Sequence, residues 1–268
     1  MLPTDLVLVR HGQSHANLAI GKSRQGDHSA FSPEFRQKHT SGIKLTELGR
    51  EQATKAGELL ISQFYRRGGN LFDRHYVSEY KRAKETAALL SLPDARWYCE
   101  PYLAERDWGE LDNLPENERQ ENFGRSLKMR KVEPFFWRPP NGESFSDLCL
   151  RVDRMLDTLH RECSEDRVVM VCHGEVMRAF QIRLERLSQQ RFRELAFSRD
   201  SSEIIQNCQI NHYTRRCPRT GQLYPYIGWV KWYRQSVENS VSMSEWISIT
   251  REAYSNEDLL EMVGESED

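Results

Sequence analysis

The sequence predicts an α/β fold, a three-layer sandwich in which helices cover both faces of a mostly parallel sheet. Two short apolar runs, at 6–9 and 168–172, lack polar alternation, which is typical of strands buried on both faces of such a sheet. Amphipathic helical patterns separate these runs, as helical crossovers do between parallel strands. With 268 residues, the chain is long enough for one large domain with a sizeable core.

Local patterns predict the elements of the first half. The run at 6–9 is the first strand, because it is apolar and ends directly before a polar cluster. Residues 21–44 are polar and broken by glycines, which predicts a long loop with a short helix around 33–39. Thr46 is a candidate N-cap for a helix with one apolar face. Weaker patterns predict strands at 72–77 and 97–99 and a helix at 79–90.

The second half continues the alternation of strands and helices. Residues 109–142 show little periodicity, which indicates an excursion or lid rather than a core element. Apolar residues within 145–159 recur every three or four positions and predict a strong amphipathic helix. The second buried strand is followed by a helix at 175–186 and a hairpin of strands at 204–213 and 226–233.

These patterns divide the chain into one domain and a tail. We expect a domain at 1–237, with loop insertions at 21–44 and 109–142, and an acidic amphipathic C-terminal tail at 238–268. Two interpretations of the tail are open: a helix docked on its own domain, or a contact for a homodimer or another partner.

Composition and charge narrow the class of protein. The formal net charge of −2 gives no general attraction to nucleic acid or to an anionic membrane, so neither is expected as a partner. The N-terminus lacks the features of a signal peptide, and no window is apolar enough for a membrane span, which predicts a cytoplasmic protein. The six cysteines form no CxxC pair, so zinc-ribbon and dithiol redox sites are not indicated.

Five segments that carry reactive side chains follow one another in order. Arg10-His11-Gly12 ends the first strand, and His173-Gly174 ends the strand at 168–172. Because the carboxyl ends of parallel strands meet at one edge of a sheet, we expect His11 and His173 to lie close together. The other three segments are Ser78 to Ala87 with Arg82, Leu103 to Gly109 with Glu105, and Pro140 to Ser144.

This ordered set resembles the histidine phosphatase superfamily, in the phosphoglycerate mutase-like branch that includes mutases and fructose-2,6-bisphosphatase. The resemblance covers about residues 5 to 213 and implies the same three-layer α/β fold. It implies that His11 is the nucleophile and that Glu105 is the acid. Arg10 and Arg82 are the matching phosphate-binding arginines. The second histidine corresponds to His173, and Asn17 corresponds to the asparagine that follows the first motif.

Physical chemistry supports these roles. A phosphate monoester is a dianion, and two planar guanidinium groups could bind its oxygens while the nucleophile approaches. His11 has to be neutral at the attacking nitrogen, with its other ring nitrogen donating to a backbone carbonyl. Glu105 would protonate the leaving oxygen, aided by a pKa raised through apolar burial near Trp108. No metal and no cofactor are expected, because the arginines supply the positive charge.

The sequence favours a metal-independent phosphatase that acts on phosphomonoesters through phospho-His11, with a phosphorylated small molecule or phosphopeptide as substrate. A phosphoglycerate-type mutase is the first alternative, although residues 109–142 lack an adjacent arginine pair. A phosphate-binding module with vestigial catalysis is the second. A metal site built from His11, His15 and His173 is a third interpretation, and no P-loop accompanies the site to indicate a kinase.

Overall fold

The computed structural model describes residues 1–65, 69–235, 240–251 and 253–264. Its central sheet contains the strands β1 to β8. In chain order, the strands are Asp5–Arg10, Arg74–Val77, Trp97–Cys99, Arg167–Cys172, Ile210–Thr214, Trp229–Gln235, Val241–Met243 and Ile247–Ser248. The helices are α1 to α9. In chain order, they are His15–Arg24, Pro33–Arg36, Glu47–Phe64, Lys81–Leu89, Glu116–Val132, Phe145–Glu162, Gly174–Glu185, Gln189–Phe197 and Asn256–Gly264.

The sheet has a parallel half and an antiparallel half. Its strand order is β3-β2-β4-β1-β5-β6-β7, with β8 also paired to β6. β3, β2, β4 and β1 are parallel, and β1 pairs with β4 from Asp5 opposite Arg167 to Arg10 opposite Cys172. The prediction that the two histidine-ending strands are neighbours is therefore confirmed. From β5 onward the pairing is antiparallel, so the predicted parallel sheet is the half that carries the histidines.

Alternate side chains of the two central strands enter different cores. Leu6 and Leu8 of β1 pack with the apolar faces of α6 and α7. Val7 and Val9 pack with those of α3 and α4 on the opposite face. Both layers are solvent-excluded, which explains why these strands show apolar runs rather than alternation. The predicted α/β architecture with helices on both faces is confirmed.

The two predicted loop insertions contain helices. Residues 21–44 hold the end of α1, the short helix α2 and a 3-10 turn at Thr40–Gly42. Residues 109–142 hold the 17-residue helix α5, none of whose side chains is buried within the described structure. A helix without an apolar face shows no hydrophobic periodicity, which is why the sequence indicated a loop in this segment.

Part of the predicted tail belongs to the sheet. β7 and β8 pair antiparallel with β6, and the Trp246 ring contacts His212 at a centroid distance of 4.9 Å. The hairpin strands themselves begin later than predicted, at Ile210 and Trp229, although their antiparallel pairing is as expected. Across the described ranges, no helix has both the length and the apolar composition that crossing a bilayer requires.

Candidate active site

His11 lies buried directly after the C-terminal end of β1. Its Nδ1 is 2.7 Å from the Gly12 carbonyl oxygen, and because a carbonyl can only accept, Nδ1 carries the proton. Burial lowers the pKa of His11 well below its ordinary value, and the charges of Arg82 and Arg10 lower it further. The ring is therefore neutral, with the Nε2 lone pair directed away from Gly12.

Arg82 lies in the first turn of α4 and reaches this lone pair. Its Nε donates to His11 Nε2 at 3.1 Å, and its Nη1 donates to the Thr40 carbonyl at 2.8 Å. The guanidinium also lies 4.8 Å from the centroid of the Tyr80 ring. Arg82 is only 4% exposed, so its charge acts in a largely desolvated pocket.

Arg10 is the last residue of β1, and its charge acts on the buried His11 ring. Its Nη1 donates to the Ile205 carbonyl at 2.7 Å, while its buried Nε has no partner among the described residues. Gly174 packs beside it, and a Cβ at that position would stand in van der Waals contact, 3.4 Å from Arg10 Nε. The remaining N–H groups of Arg10 are thus available to an anion.

His173 is the N-cap residue of α7, and its ring meets that of His11 at a centroid distance of 5.0 Å and an angle of 63°. Its Nε2 is 2.8 Å from Ser78 Oγ. Ser78 Oγ also accepts from the Tyr80 backbone N–H at 3.3 Å. Nδ1 has no hydrogen-bond partner in the described chain and lies 4.0 Å from Glu105 Oε2.

Glu105 completes the group from the loop after the 3-10 turn at Pro101–Leu103. Burial raises the pKa of its carboxyl to about 7, against the opposing charge of Arg82. Its Oε1 accepts from the Arg106 backbone N–H at 3.0 Å. A carboxyl with this pKa can give or take a proton near neutral pH, which is the property expected of the acid. Trp108 lines the same pocket as Glu105, next to the carboxyl whose pKa burial was expected to raise.

Asn17 lies on the first turn of α1, where its main contacts are local. Its Oδ1 accepts from the backbone N–H and the hydroxyl of Ser14 in a capping box, and from Asn207 Nδ2 at 3.1 Å. Asn207 also donates to the His11 carbonyl at 3.0 Å. Asn17 lines the pocket. Through Asn207 it also helps to hold the backbone at His11 in place.

Several residues that support the site were not identified from the sequence. Asn207 was missed because it lies almost two hundred positions from His11 and carries no local pattern. Thr86 could have been found, since it lies one helical turn after Arg82; its hydroxyl accepts from the Gly12 N–H at 3.1 Å. Glu143, in the segment Pro140 to Ser144, accepts from Nε and Nη2 of Arg151 at 2.9 Å each.

The site opens into two neighbouring cavities. One of about 100 Å³ is lined by His11, Arg82 and Glu105, with Phe31 and Phe35 on its apolar side. A larger one of about 810 Å³ shares Glu105, Asn17 and Trp108 with it and extends between α5, α7 and α8. The reactive groups therefore lie at the junction of a small pocket and a wide one.

Within the described ranges, three side chains lie close enough together to hold a metal ion. One ligand atom each from His11, Glu105 and His173 lies within 4.8 Å of the others. The alternative metal site considered from the sequence contained His15, which instead is exposed on α1. The guanidinium groups of Arg10 and Arg82 adjoin this position, and their charge opposes a divalent cation while it favours an anion. The residue set fits a phosphate better than a metal.

The chain matches a known protein family. A family model described as histidine phosphatase superfamily (branch 1) matches residues 6–214, which is most of the chain.

Two groups of curated relatives are similar in sequence. The human 6-phosphofructo-2-kinase/fructose-2,6-bisphosphatase 4 is 29% identical over 177 residues, which is 66% of this chain. The chain spans about a third, 32%, of that relative's length. A 2,3-bisphosphoglycerate-dependent phosphoglycerate mutase from Parvibaculum lavamentivorans is 30% identical over 201 residues, covering 70% of this chain and 83% of the mutase.

Solved structures show the same fold. A mycobacterial glucosyl-3-phosphoglycerate phosphatase in complex with VO3 superposes with a TM-score of 0.60 at 23% identity, covering 78% of this chain and 92% of that one. The alpha-ribazole phosphatase from Shigella flexneri superposes with a TM-score of 0.59 at 20% identity, covering 84% and 98%.

Proposed function

Since this chain belongs to branch 1 of the histidine phosphatase superfamily, we propose that it is a metal-independent phosphatase that hydrolyses phosphomonoesters through phospho-His11. The observation that carries the proposal is the state of His11. Its proton is fixed on Nδ1 by the Gly12 carbonyl, and its Nε2 lone pair points at the guanidinium of Arg82. A neutral imidazole next to two anion-binding groups is suited to attack a phosphate dianion.

In the first step, Nε2 of His11 attacks phosphorus and the bond from phosphorus to the ester oxygen breaks. Arg10 and Arg82 hold the non-bridging oxygens, whose charge persists as the transition state becomes metaphosphate-like. When the Ser78 hydroxyl donates to Nε2 of His173, the ring proton lies on Nδ1, which faces the same space and donates to a phosphoryl oxygen. Glu105 transfers its proton to the leaving oxygen, which departs as an alcohol, and becomes a carboxylate.

In the second step, a water molecule attacks the phosphorus of phospho-His11. The Glu105 carboxylate accepts a proton from that water, and the bond from Nε2 to phosphorus breaks. Inorganic phosphate is released, His11 returns to its neutral state and Glu105 to its protonated state. A pKa near 7 lets one carboxyl serve as acid in the first step and base in the second.

Phosphoglycerate-type mutase activity is the second candidate, and the similarity to phosphoglycerate mutases favours it. In that reaction, phospho-His11 would pass its phosphoryl group to a second substrate instead of water. The larger cavity beside Glu105 has room for water and for a second substrate alike, and the preference for hydrolysis rests on the lack of an adjacent arginine pair in residues 109–142. We place the activity in the cytoplasm, since the six cysteines are all free, the state that a reducing compartment maintains.

The test is hydrolysis of p-nitrophenyl phosphate in the presence of a chelator, with His11→Ala as the control. Activity that requires a divalent metal, or that survives in His11→Ala, would contradict the proposal. An alkaline quench after brief reaction with a ³²P-labelled monoester should trap phosphohistidine, whereas a pure binding module would form none. Interconversion of phosphoglycerates that requires added bisphosphoglycerate and exceeds hydrolysis would instead establish the mutase.

A further inference from the structure

Tyr80 is the N-cap residue of α4, and its side chain forms no capping hydrogen bond. Serine, threonine, aspartate and asparagine are preferred at such positions, because their side chains accept from N–H groups of the first helical turn. The backbone at Tyr80 is extended, and the helix that carries Arg82 begins at the next residue. A position that lacks the usual capping residue is a candidate for a functional role.

The Tyr80 ring contacts two side chains of the active site. The guanidinium carbon of Arg82 lies over the ring, 4.8 Å from its centroid. The His173 ring meets the Tyr80 ring in a T-shaped arrangement, at a centroid distance of 5.0 Å and an angle of 69°. Among the described residues, Tyr80 hydrogen bonds through its backbone, and its hydroxyl has no partner. The ring, rather than the hydroxyl, therefore makes the contacts of this side chain.

Arg82 is held without an ion pair. Its partners in the described chain are the Nε2 lone pair of His11, the Thr40 carbonyl and the Tyr80 ring, all of which are neutral. Glu105 acts on the guanidinium only at longer range, and its pKa of about 7 leaves this carboxyl partly neutral. An aromatic face attracts a cation without neutralising its charge. Arg82 thus keeps its charge for a phosphate.

Two other arginines near the site are held in the opposite way. Arg151 donates from Nε and Nη2 to the Glu143 carboxylate at 2.9 Å each. Arg106 lies 3.7 Å from the Glu175 carboxylate. A guanidinium paired with a carboxylate has less charge to offer to a second anion. The neutral partners of Arg82 therefore distinguish it from the arginines that support the protein's own loops.

Burial explains why Arg82 needs the aromatic ring. The residue is only 4% exposed, and this desolvation lowers the pKa of its guanidinium. A buried charge without compensating contacts costs free energy, and a cation–π contact is stronger in a desolvated place than at the surface. Burial also raises the pKa of the Tyr80 hydroxyl, which keeps the ring neutral at physiological pH. The ring replaces part of the hydration that the guanidinium loses.

We propose that Tyr80 is a positioning residue, whose ring holds the Arg82 guanidinium and the adjoining His173 ring in the orientation that binds the phosphoryl group. Tyr80 lines neither of the two cavities and acts only through these two side chains. The inference rests on the proposed phosphatase function, which assigns Arg82 and His173 to the same phosphoryl group. Without the ring, the binding orientation is less populated and phosphate binds more weakly.

The test replaces Tyr80 by phenylalanine and by mono-, di- and trifluorinated phenylalanines. Fluorine withdraws electron density from the ring face and changes the shape of the ring little, so the series weakens the cation–π contact at nearly constant packing. The readout is the affinity for inorganic phosphate in calorimetry, which does not require turnover. Tyr80→Phe should bind within about twofold of the wild type, and each added fluorine should lower the affinity, by about tenfold over the series.

Two leucine variants locate the effect. In Tyr80→Leu, phosphate affinity should fall by about tenfold, and the ring-current shift of the His173 imidazole protons should disappear from the NMR spectrum. Tyr226→Leu is the matched control, since it removes an exposed cation–π contact, with Arg251 at 5.7 Å. That contact lies at the edge of the sheet opposite His11, so phosphate affinity should not change.

A constant phosphate affinity across the fluorinated series would overturn the inference, because packing alone would then explain the ring. An equal loss in Tyr80→Leu and Tyr226→Leu would also contradict it.

The phosphatase assay separates this inference from the proposed function. A chain that hydrolyses p-nitrophenyl phosphate but shows no graded loss of affinity has the activity without this role of Tyr80. A chain that shows the graded loss but forms no phosphohistidine keeps the role of Tyr80 in phosphate binding, and the phosphatase function fails instead. A wild-type chain that binds no phosphate overturns both.

Discussion

Glu105 combines burial with proximity to positive charge, and burial has the larger effect on its pKa. The value of about 7 means that roughly half of the carboxyl groups are protonated at neutral pH. His11 behaves in the opposite way, because its pKa lies well below the ordinary value and the ring stays neutral into the acid range. The two groups are therefore in their reactive states over the same interval, below about pH 7 and above the pKa of His11.

This overlap predicts an acid-shifted profile for an alkyl phosphate. The protonated acid disappears as the pH rises through about 7, so kcat/KM should fall on the alkaline side, after correction for ionisation of the substrate. Glu105→Gln should lower kcat/KM by ~10²–10⁴ and remove that alkaline decline. With p-nitrophenyl phosphate, whose leaving group needs little protonation, the loss should be much smaller. An equal loss with both substrates would contradict the role of Glu105 as acid.

Ser78 is a positioning residue, since it acts on the substrate only through His173. Its hydroxyl lies 2.8 Å from His173 Nε2, and the mechanism requires it to donate there, so that the ring proton is on Nδ1. Ser78→Ala should lower kcat by up to about 100-fold with a smaller change in KM, because the misplaced donor chiefly affects the transition state. Ser78→Thr retains the hydroxyl and Ser78→Val does not, so a purely steric effect would affect both equally. Recovery of kcat in the threonine variant alone supports the hydrogen bond.

At the scale of elements, the loop after β1 lies directly against the start of α3. A Cβ on Gly49 would stand 2.0 Å from the Gln13 carbonyl oxygen, and one on Gly12 would stand 2.2 Å from the Gly49 carbonyl oxygen. This contact excludes any side chain at either position. The placement of His11 thus depends on two glycines from different elements.

Gly49→Ala should therefore destabilise the fold by ~1–3 kcal/mol in urea unfolding, and it should lower phosphohistidine formation because the loop is displaced. Gly21→Ala is the matched control, since a Cβ on Gly21 would have no neighbouring atom within 4 Å among the described residues. That substitution lies in α1 and should leave stability unchanged or raise it by up to ~1 kcal/mol. A Gly49→Ala chain as stable as Gly21→Ala would contradict the close-contact explanation.

The sequence predicted the elements and residues whose signal is local. His11, Arg10 and His173 adjoin apolar strands, so strand order and residue type were enough to bring them together. Helix α5 was not predicted because it is mostly polar and buries no side chain in the described structure. It therefore has no apolar periodicity from which a helix could be recognised. The contacts of Asn207, the tautomer of His173 and the pKa of Glu105 depend on atoms brought together from distant parts of the chain.

At the scale of the whole molecule, the C-terminal region has two unequal parts. Residues 241–248 extend the sheet, and Ile249 N–H donates to the Gly228 carbonyl at 2.8 Å. Helix α9 buries none of its side chains within the described structure and exposes Leu260 at 73% and Val263 at 68%. The first part belongs to the core fold, and the second interpretation of the tail, a homodimer or partner contact, remains a proposal for α9.

Two truncations separate these roles. A chain that ends at Arg251 should keep the unfolding temperature of the full chain, because it loses only exposed side chains among those described. A chain that ends at Gln235 should unfold earlier and aggregate, since it leaves the edge of β6 unpaired. Sedimentation of the full chain and of the chain ending at Arg251 tests the dimer. If both have the same mass per particle, α9 does not hold a dimer together.

The hydrogen bond from Arg82 to His11 has a further consequence for the resting protein. A lone pair that accepts from a guanidinium cannot attack an electrophile at the same time. The substrate's own oxygens compete for that N–H group, so the arrival of a phosphate dianion frees the nitrogen that will attack it. The residue that binds the phosphate thus also blocks the nucleophile until phosphate arrives. A small neutral electrophile does not compete for the Arg82 N–H, so His11 Nε2 stays hydrogen-bonded and reacts slowly with it.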